Sequence, residues 1–241
     1  MPFLHLHDGS TVIPDHDSLL LVAPDERFAA VTGDLDALTP VLLGSAPVPA
    51  TGIAAEVTAA VLDWQVGELA DQPRTPCPTW HLTDLLRPQT VAAALRPLGM
   101  PVSVHVADLL DDTVLTDRDA AGQAQGAWLP VHRELGALVL GPVLGDGLSW
   151  ADVRFRRLAA SPTRPQLQAL WENWSRHGDT HDLRPSRADA QDAVRRLLEW
   201  LPGNAAHLRR HQVVVPMRPG GDLTTHPVLP VPRGLMERVP A

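Results

Sequence analysis

The chain contains no lysine: all 20 of its basic residues are arginine. That absence excludes a Schiff-base lysine, a P-loop lysine and a lysine general base, since guanidinium does not give up its proton at working pH. A single cysteine, Cys77, cannot close an intrachain disulfide or build a cysteine-based zinc site. No apolar run approaches the roughly 20 residues that span a bilayer. The N-terminus also lacks a basic region followed by a long apolar core, so a cytoplasmic, membrane-free protein is expected. Excess positive charge is missing as well. A formal net charge of -8 argues against nucleic-acid binding, which needs clustered cations to neutralise phosphates.

Familiar catalytic signatures are missing too. No GxGxxG follows a strand, and GPVLGDG at 141–147 has the wrong spacing and a proline inside it. There is no GxSxG elbow; Cys77 lies among prolines, and Ser149 has no evident partner. No catalytic residue and no cofactor is therefore assigned, although a triad is spatial and scattered members stay hidden in a sequence.

What is present is a globular chain of 241 residues, 44% hydrophobic with mean hydropathy -0.05, long enough for a small domain plus a larger one. Near the start, Phe3, Leu4 and Leu6, the hairpin-type dipeptide Asp8-Gly9, and Thr11, Val12 and Ile13 suggest paired strands. Leu19 to Ala23, the turn Pro24-Asp25-Glu26-Arg27, and Phe28 to Thr32 suggest a second pair. Gly33-Asp34 opens a helix with Leu35, Leu38, Val41 and Leu42 at helical spacing. A second helix begins near Thr51, with Ile53, Ala54, Val57, Val61 and Leu62 on one side. Strands followed by short helices within about 70 residues is a winged-helix order. QPRTPCP at 72–78 then reads as a proline-rich linker. The expected organisation is residues 1–71, a linker at 72–78, and a larger domain at 79–241, in an α+β or α/β class.

In the larger domain, Leu82 to Leu98 is helical but divided by Pro88 and Pro97, and Pro101 to Ala107 alternates as a half-buried strand does. A polar connection follows, then a turn at Trp128-Leu129-Pro130 and an apolar strand from Leu135 to Leu140. A glycine-rich break, Gly141-Pro142 and Gly145-Asp146-Gly147, separates that strand from a helix carrying Arg154, Arg156 and Arg157. These arginines either flank an anion-binding turn or are paired with acids. Gln166 to Trp174 and Ala188 to Trp200 read as amphipathic helices, and His211 to Val215 as a strand. Metal donors occur as pairs: His177 and His181 with Asp179 and Asp182, His207 and His211, His5 and His7. None has a third ligand of matching context, so no metal is expected.

Three segments carry a resemblance. GPVLGDG…ADVRFRRLAA is similar to the "GP-l-pG … aDl-RRlaa" region of the ubiquitin-activating-like proteins that partner YcaO enzymes in azole-forming (TOMM, bacteriocin-type) peptide biosynthesis. The tail His226-Pro227-Val228-Leu229-Pro230-Val231-Pro232 is similar to their "H-v-lPvP" ending, and residues 18–62 resemble their small leader-binding winged-helix domain. The resemblance implies a winged-helix-like domain followed by a degenerate ubiquitin-activating-like domain. It implies a non-catalytic partner of a YcaO-type cyclodehydratase that holds a precursor leader peptide, with a homodimer possible. Such a domain takes the leader as an added strand. Phe28, Ala30 and Thr32 would then share one strand face, and Ile53, Val57 and Val61 would form the helical wall of the groove. Zinc-bearing relatives carry CxxC pairs where this chain has SWADV (149–153) and RGLME (233–237), so their zinc is expected to be lost. An autonomous acyl- or adenylyl-transferring enzyme and a winged-helix regulator remain as alternatives.

Overall fold

The structure is a computed structural model that describes residues 1–75, 77–122, 126–178 and 183–232. It is α+β and divides into two compact units, residues 1–79 with 183–186 and the remaining described residues. Among the described residues no helix is long and apolar enough to cross a membrane.

The first unit runs β1 (Phe3–Leu6), β2 (Thr11–Asp15), β3 (Ser18–Val22), β4 (Phe28–Thr32), α1 (Leu35–Leu42), α2 (Ile53–Asp63) and β5 (Gly67–Ala70). β2, β3 and β4 form an antiparallel sheet in that order, while β1 pairs with β5. The central strand β3 is nearly all leucine and valine, because neighbours on both sides leave it little exposure to water. Asp34 caps α1, its carboxylate accepting from the Ala37 amide, and Leu38, Val41 and Leu42 turn inward at i, i+3 and i+4. They join Leu4, Leu6, Val12, Leu19, Leu21, Val31 and Val61 in one core. The strand pairing expected at Asp8-Gly9 is corrected: β1 finds β5, more than 60 residues away in sequence, and β2 goes to a different sheet.

The second unit holds α3 (Leu82–Leu85), α4 (Pro88–Ala94), β6 (Val102–Ala107), α5 (Asp112–Gly122), β7 (Ala127–Glu134), β8 (Ala137–Leu140), α6 (Trp150–Ala160), α7 (Arg164–His177), α8 (Arg187–Asn204), β9 (His211–Pro216) and β10 (Thr224–Pro227). Its sheet has the order β10-β9-β8-β7-β6; only β6 and β7 are parallel, joined through α5. The turn expected at Trp128-Leu129-Pro130 lies instead inside β7, all eight residues of which are buried. The strand expected from Leu135 to Leu140 starts only at Ala137, because Leu135, at φ 51°, and Gly136 make the β7–β8 turn. The polar connection expected before Trp128 contains α5.

Candidate functional site

The turn between β3 and β4 sets the phase of the sheet edge. Ala23 carbonyl accepts from the Glu26 amide at 3.1 Å and Ala23 amide donates to the Arg27 carbonyl at 2.9 Å, with Glu26 at φ 63°. Ala23 and Arg27 are thus a hydrogen-bonded pair. In an antiparallel ladder such pairs alternate, so the next are Leu21 with Ala29 and Leu19 with Val31. Phe28, Ala30 and Thr32 then aim their N–H and C=O groups away from β3. Ala30 and Thr32 are exposed, Phe28 is half-buried and Val31 is buried. β4 is the last strand of its sheet on this side.

The opposite edge differs in one atom type. Pro14 faces Leu19, and Leu19 bonds towards β4, so the nitrogen of Pro14 points outward. A proline there offers no donor, which is a common way of blunting an edge against added strands. FAAVT, the sequence of β4, contains neither proline nor charge.

Helix α2 is tied to the two ends of β4. Ile53, at its start, approaches Gly33 so closely that a β-carbon on Gly33 would lie 3.3 Å from its Cγ2. At the other end, the Arg27 guanidinium sits 5.1 Å from the Trp64 ring centroid and donates to the Trp64 carbonyl at 3.2 Å. The helix therefore runs antiparallel to β4, one end by each end of the strand. At 1.5 Å per helical residue and 3.3 Å per strand residue, both elements are about 16–17 Å long.

Of the three residues expected on the helical wall, Ile53 is 51% exposed and Val57 is half-buried against the core. Val61 is only 3% exposed and lies in the core. Arg27, Gly33 and Trp64, which anchor helix to strand, were not singled out from the sequence. The turn signal at Pro24-Asp25-Glu26-Arg27 marked where Arg27 lay but not its reach to a tryptophan 37 residues on.

In the second unit the arginines of α6 are committed. Arg154 Nε donates to Asp112 at 2.8 Å, and Arg157 Nη2 donates to Glu134 at 2.6 Å. Arg156 donates to the carbonyls of Leu229 and Pro230, both at 3.2 Å. Ser149 and Asp152 cap α6 reciprocally, and Asp152 also accepts from the Val231 amide at 2.6 Å. The two motifs at ADVRFRR and LPVP therefore interlock. Deeper in, burial pushes His132 down to about 3, with Arg157 and His105 adding to the shift. Its ring meets Trp150 edge-on at 6.2 Å between centroids, and neither ring nitrogen has a hydrogen-bond partner among the described residues. Burial also lowers His105, with Arg118 contributing, and raises Asp119.

Among the described residues no three His, Cys, Asp or Glu side chains gather as metal ligands. His207 and His211 stack edge-on at 5.6 Å, and His211 Nδ1 bonds the His207 carbonyl at 3.1 Å. His5 Nε2 lies 3.0 Å from the Gln72 carbonyl. Asp179, His181, Asp182 and the segment 233–237 lie outside the described residues.

No protein-family model and no curated protein matches the chain. Solved structures similar to it include a heterocyclase in complex with substrate and cofactor, 16% identical over 95% of this chain and 38% of that one, with a TM-score of 0.38. The heterocyclase TruD is 14% identical over 95% and 42%, with a TM-score of 0.34. A chain of the E. coli microcin synthetase McbBCD complex is 8% identical over 96% and 99%, with a TM-score of 0.42. The chain spans about two fifths of the length of the two heterocyclases.

Proposed function

We propose that this chain is a non-catalytic peptide-recognition subunit that captures a precursor leader and delivers it to a YcaO-type cyclodehydratase. The observation that carries the reading is the open edge of β4. Three residues, Phe28, Ala30 and Thr32, offer backbone donors and acceptors unpaired among the described residues, on a strand whose ends are tied to α2 and which lacks the proline that blunts β2. A leader would add as a fourth strand, its backbone bonding to those residues and its apolar side chains resting on Ile53 and Val57. Residues 1–71 serve here as the winged-helix-like recognition domain and 79–241 as the degenerate ubiquitin-activating-like domain, as the sequence motifs imply. Catalysis belongs to the partner. The contribution of this chain is a high local concentration of substrate at the partner's active site, so that a modest leader contact supports many turnovers.

Hydrogen exchange on the full chain, with and without a precursor peptide, tests this reading. Strand addition should slow exchange at the amides of Phe28, Ala30 and Thr32. The amides of Ala29 and Val31, already in the β3 ladder, should change little. Tight binding without protection at those three amides would refute the assignment.

A further inference from the structure

We infer that the peptide taken at the β4 edge is basic, with its cationic side chains seated at the Thr32 end. This rests on the strand-addition reading above and concerns what that edge selects. Residues 1–79 hold eleven acidic residues, from Asp8 to Asp71, but only two arginines, a surplus of nine negative charges. The rest of the chain is close to neutral, with 17 acidic residues against 18 arginines. The acidity of the whole protein therefore resides in the unit that carries the open edge.

Both arginines of residues 1–79 are already engaged. Arg27 holds Asp25 through two contacts, at 3.0 and 2.9 Å, and lies over Trp64. Arg74 is paired with Asp8 and donates to the Leu6 carbonyl at 2.5 Å. The two ends of β4 then differ. At the Phe28 end, Arg27 pairs with Asp25 and follows Glu26 directly in sequence. At the Thr32 end, exposed Asp34 and Asp36 follow directly, and Asp15 sits across the sheet in register through Ser18. Glu56 is exposed in the first turn of α2, three residues beyond the Ile53 that packs on Gly33. No arginine accompanies these four carboxylates in sequence or register. A strand entering there with an acidic side chain meets uncompensated like charge, whereas a basic one gains from each carboxylate in turn.

The test is a selection of random peptides on the immobilised full chain, with counter-selection on Ala30→Pro to keep only peptides that need the edge. Enriched peptides should carry net positive charge. A selected peptide should bind about tenfold more weakly when salt rises from roughly 0.05 to 0.5 M. The triple variant Asp34→Asn, Asp36→Asn, Glu56→Gln should likewise lose about tenfold in affinity; Asn at position 34 keeps the α1 cap. Edge-dependent peptides that are neutral or acidic, or indifferent to salt and to the triple variant, would overturn this inference while leaving strand addition standing. Failure to enrich any edge-dependent peptide would overturn strand addition itself, and this inference with it.

Discussion

Two proline substitutions one residue apart should separate fold from function. Ala30 points its N–H away from β3, so proline there removes no ladder bond and repeats what Pro14 does on the other edge. Proline also drives the preceding residue into extended backbone, which Ala29 already has as a strand residue. Stability of Ala30→Pro should therefore stay within about 1 kcal/mol of wild type. Ala29→Pro instead deletes the bond to Leu21 and leaves a carbonyl unpaired inside the sheet, at a cost of about 1–3 kcal/mol. Peptide binding should show a different pattern. Ala30→Pro removes the central donor of the edge and strands one peptide carbonyl, again about 1–3 kcal/mol, or roughly 5- to 150-fold in Kd. Urea melts give the first quantity, and anisotropy of a labelled precursor peptide gives the second. If Ala30→Pro unfolds as readily as Ala29→Pro, the edge phase derived from the Ala23–Arg27 pair is wrong. If it stays folded and binds like wild type, the leader does not dock on β4.

Further outcomes follow from individual side chains. Ile53→Glu, on an exposed residue, should leave urea stability nearly unchanged and weaken an apolar leader about tenfold, whereas Val57→Glu, half-buried against the core, should lower stability by more than about 2 kcal/mol. The His132 shift to about 3 means that its contribution is fully present above pH 6.5 and is lost as pH falls towards 3, about 2 kcal/mol of it by about pH 5. His132→Leu should flatten that acid limb in urea melts at a series of pH values and, by removing two unbonded ring nitrogens, should not destabilise at about pH 8. Asp152→Ala removes the carboxylate half of the α6 capping box and the acceptor of the Val231 amide; it should cost about 1–2 kcal/mol and speed hydrogen exchange at Val231.

Elements with clean periodicity were legible in the chain. The Pro24-Asp25-Glu26-Arg27 turn with its flanking strands, α1, α2, α7, α8 and β9 all show a period that burial of one face imposes. β7 was not legible, for a physical reason. It is buried on both faces yet contains His132, Arg133 and Glu134, so neither alternation nor an apolar run marks it. Glu134 is tolerated there because Arg157 and, at 3.1 Å, Trp171 Nε1 donate to it, partners 23 and 37 residues away that no local pattern reveals. The β1–β5 pairing was hidden by the same kind of distance. At the site, period two brought Phe28, Ala30 and Thr32 together as one set, but side-chain alternation does not say which set faces outward with its backbone. That came from two hydrogen bonds in the turn. Helical spacing placed Val61 with Ile53 and Val57, but about 12 Å of rise separates the first from the last, enough to carry Val61 from the open end into the core.

The ADVRFRR and LPVP motifs and the residues proposed to take a peptide are different parts of the chain. In the second unit, Asp152 holds Ser149 and Val231, Arg156 holds Leu229 and Pro230, and Arg154 and Arg157 hold acids. Each polar group of the ADVRFRR motif is directed at its own protein, joining the start of α6 to the LPVP tail. The resemblance places zinc-ligand pairs of some relatives at this same start of α6 and just beyond this tail. Carboxylate and guanidinium bonds to backbone fasten α6 to residues 229–231. A motif engaged in this way serves the architecture of its own unit. On β4 the situation is reversed: FAAVT has no distinctive side chain, but alternate backbone groups are unpaired and exposed. Recognition by main chain needs no particular residue on the strand, only an edge kept free of proline and charge. In the proposed complex its specificity comes from what surrounds the edge, namely Ile53, Val57 and the carboxylates near Thr32.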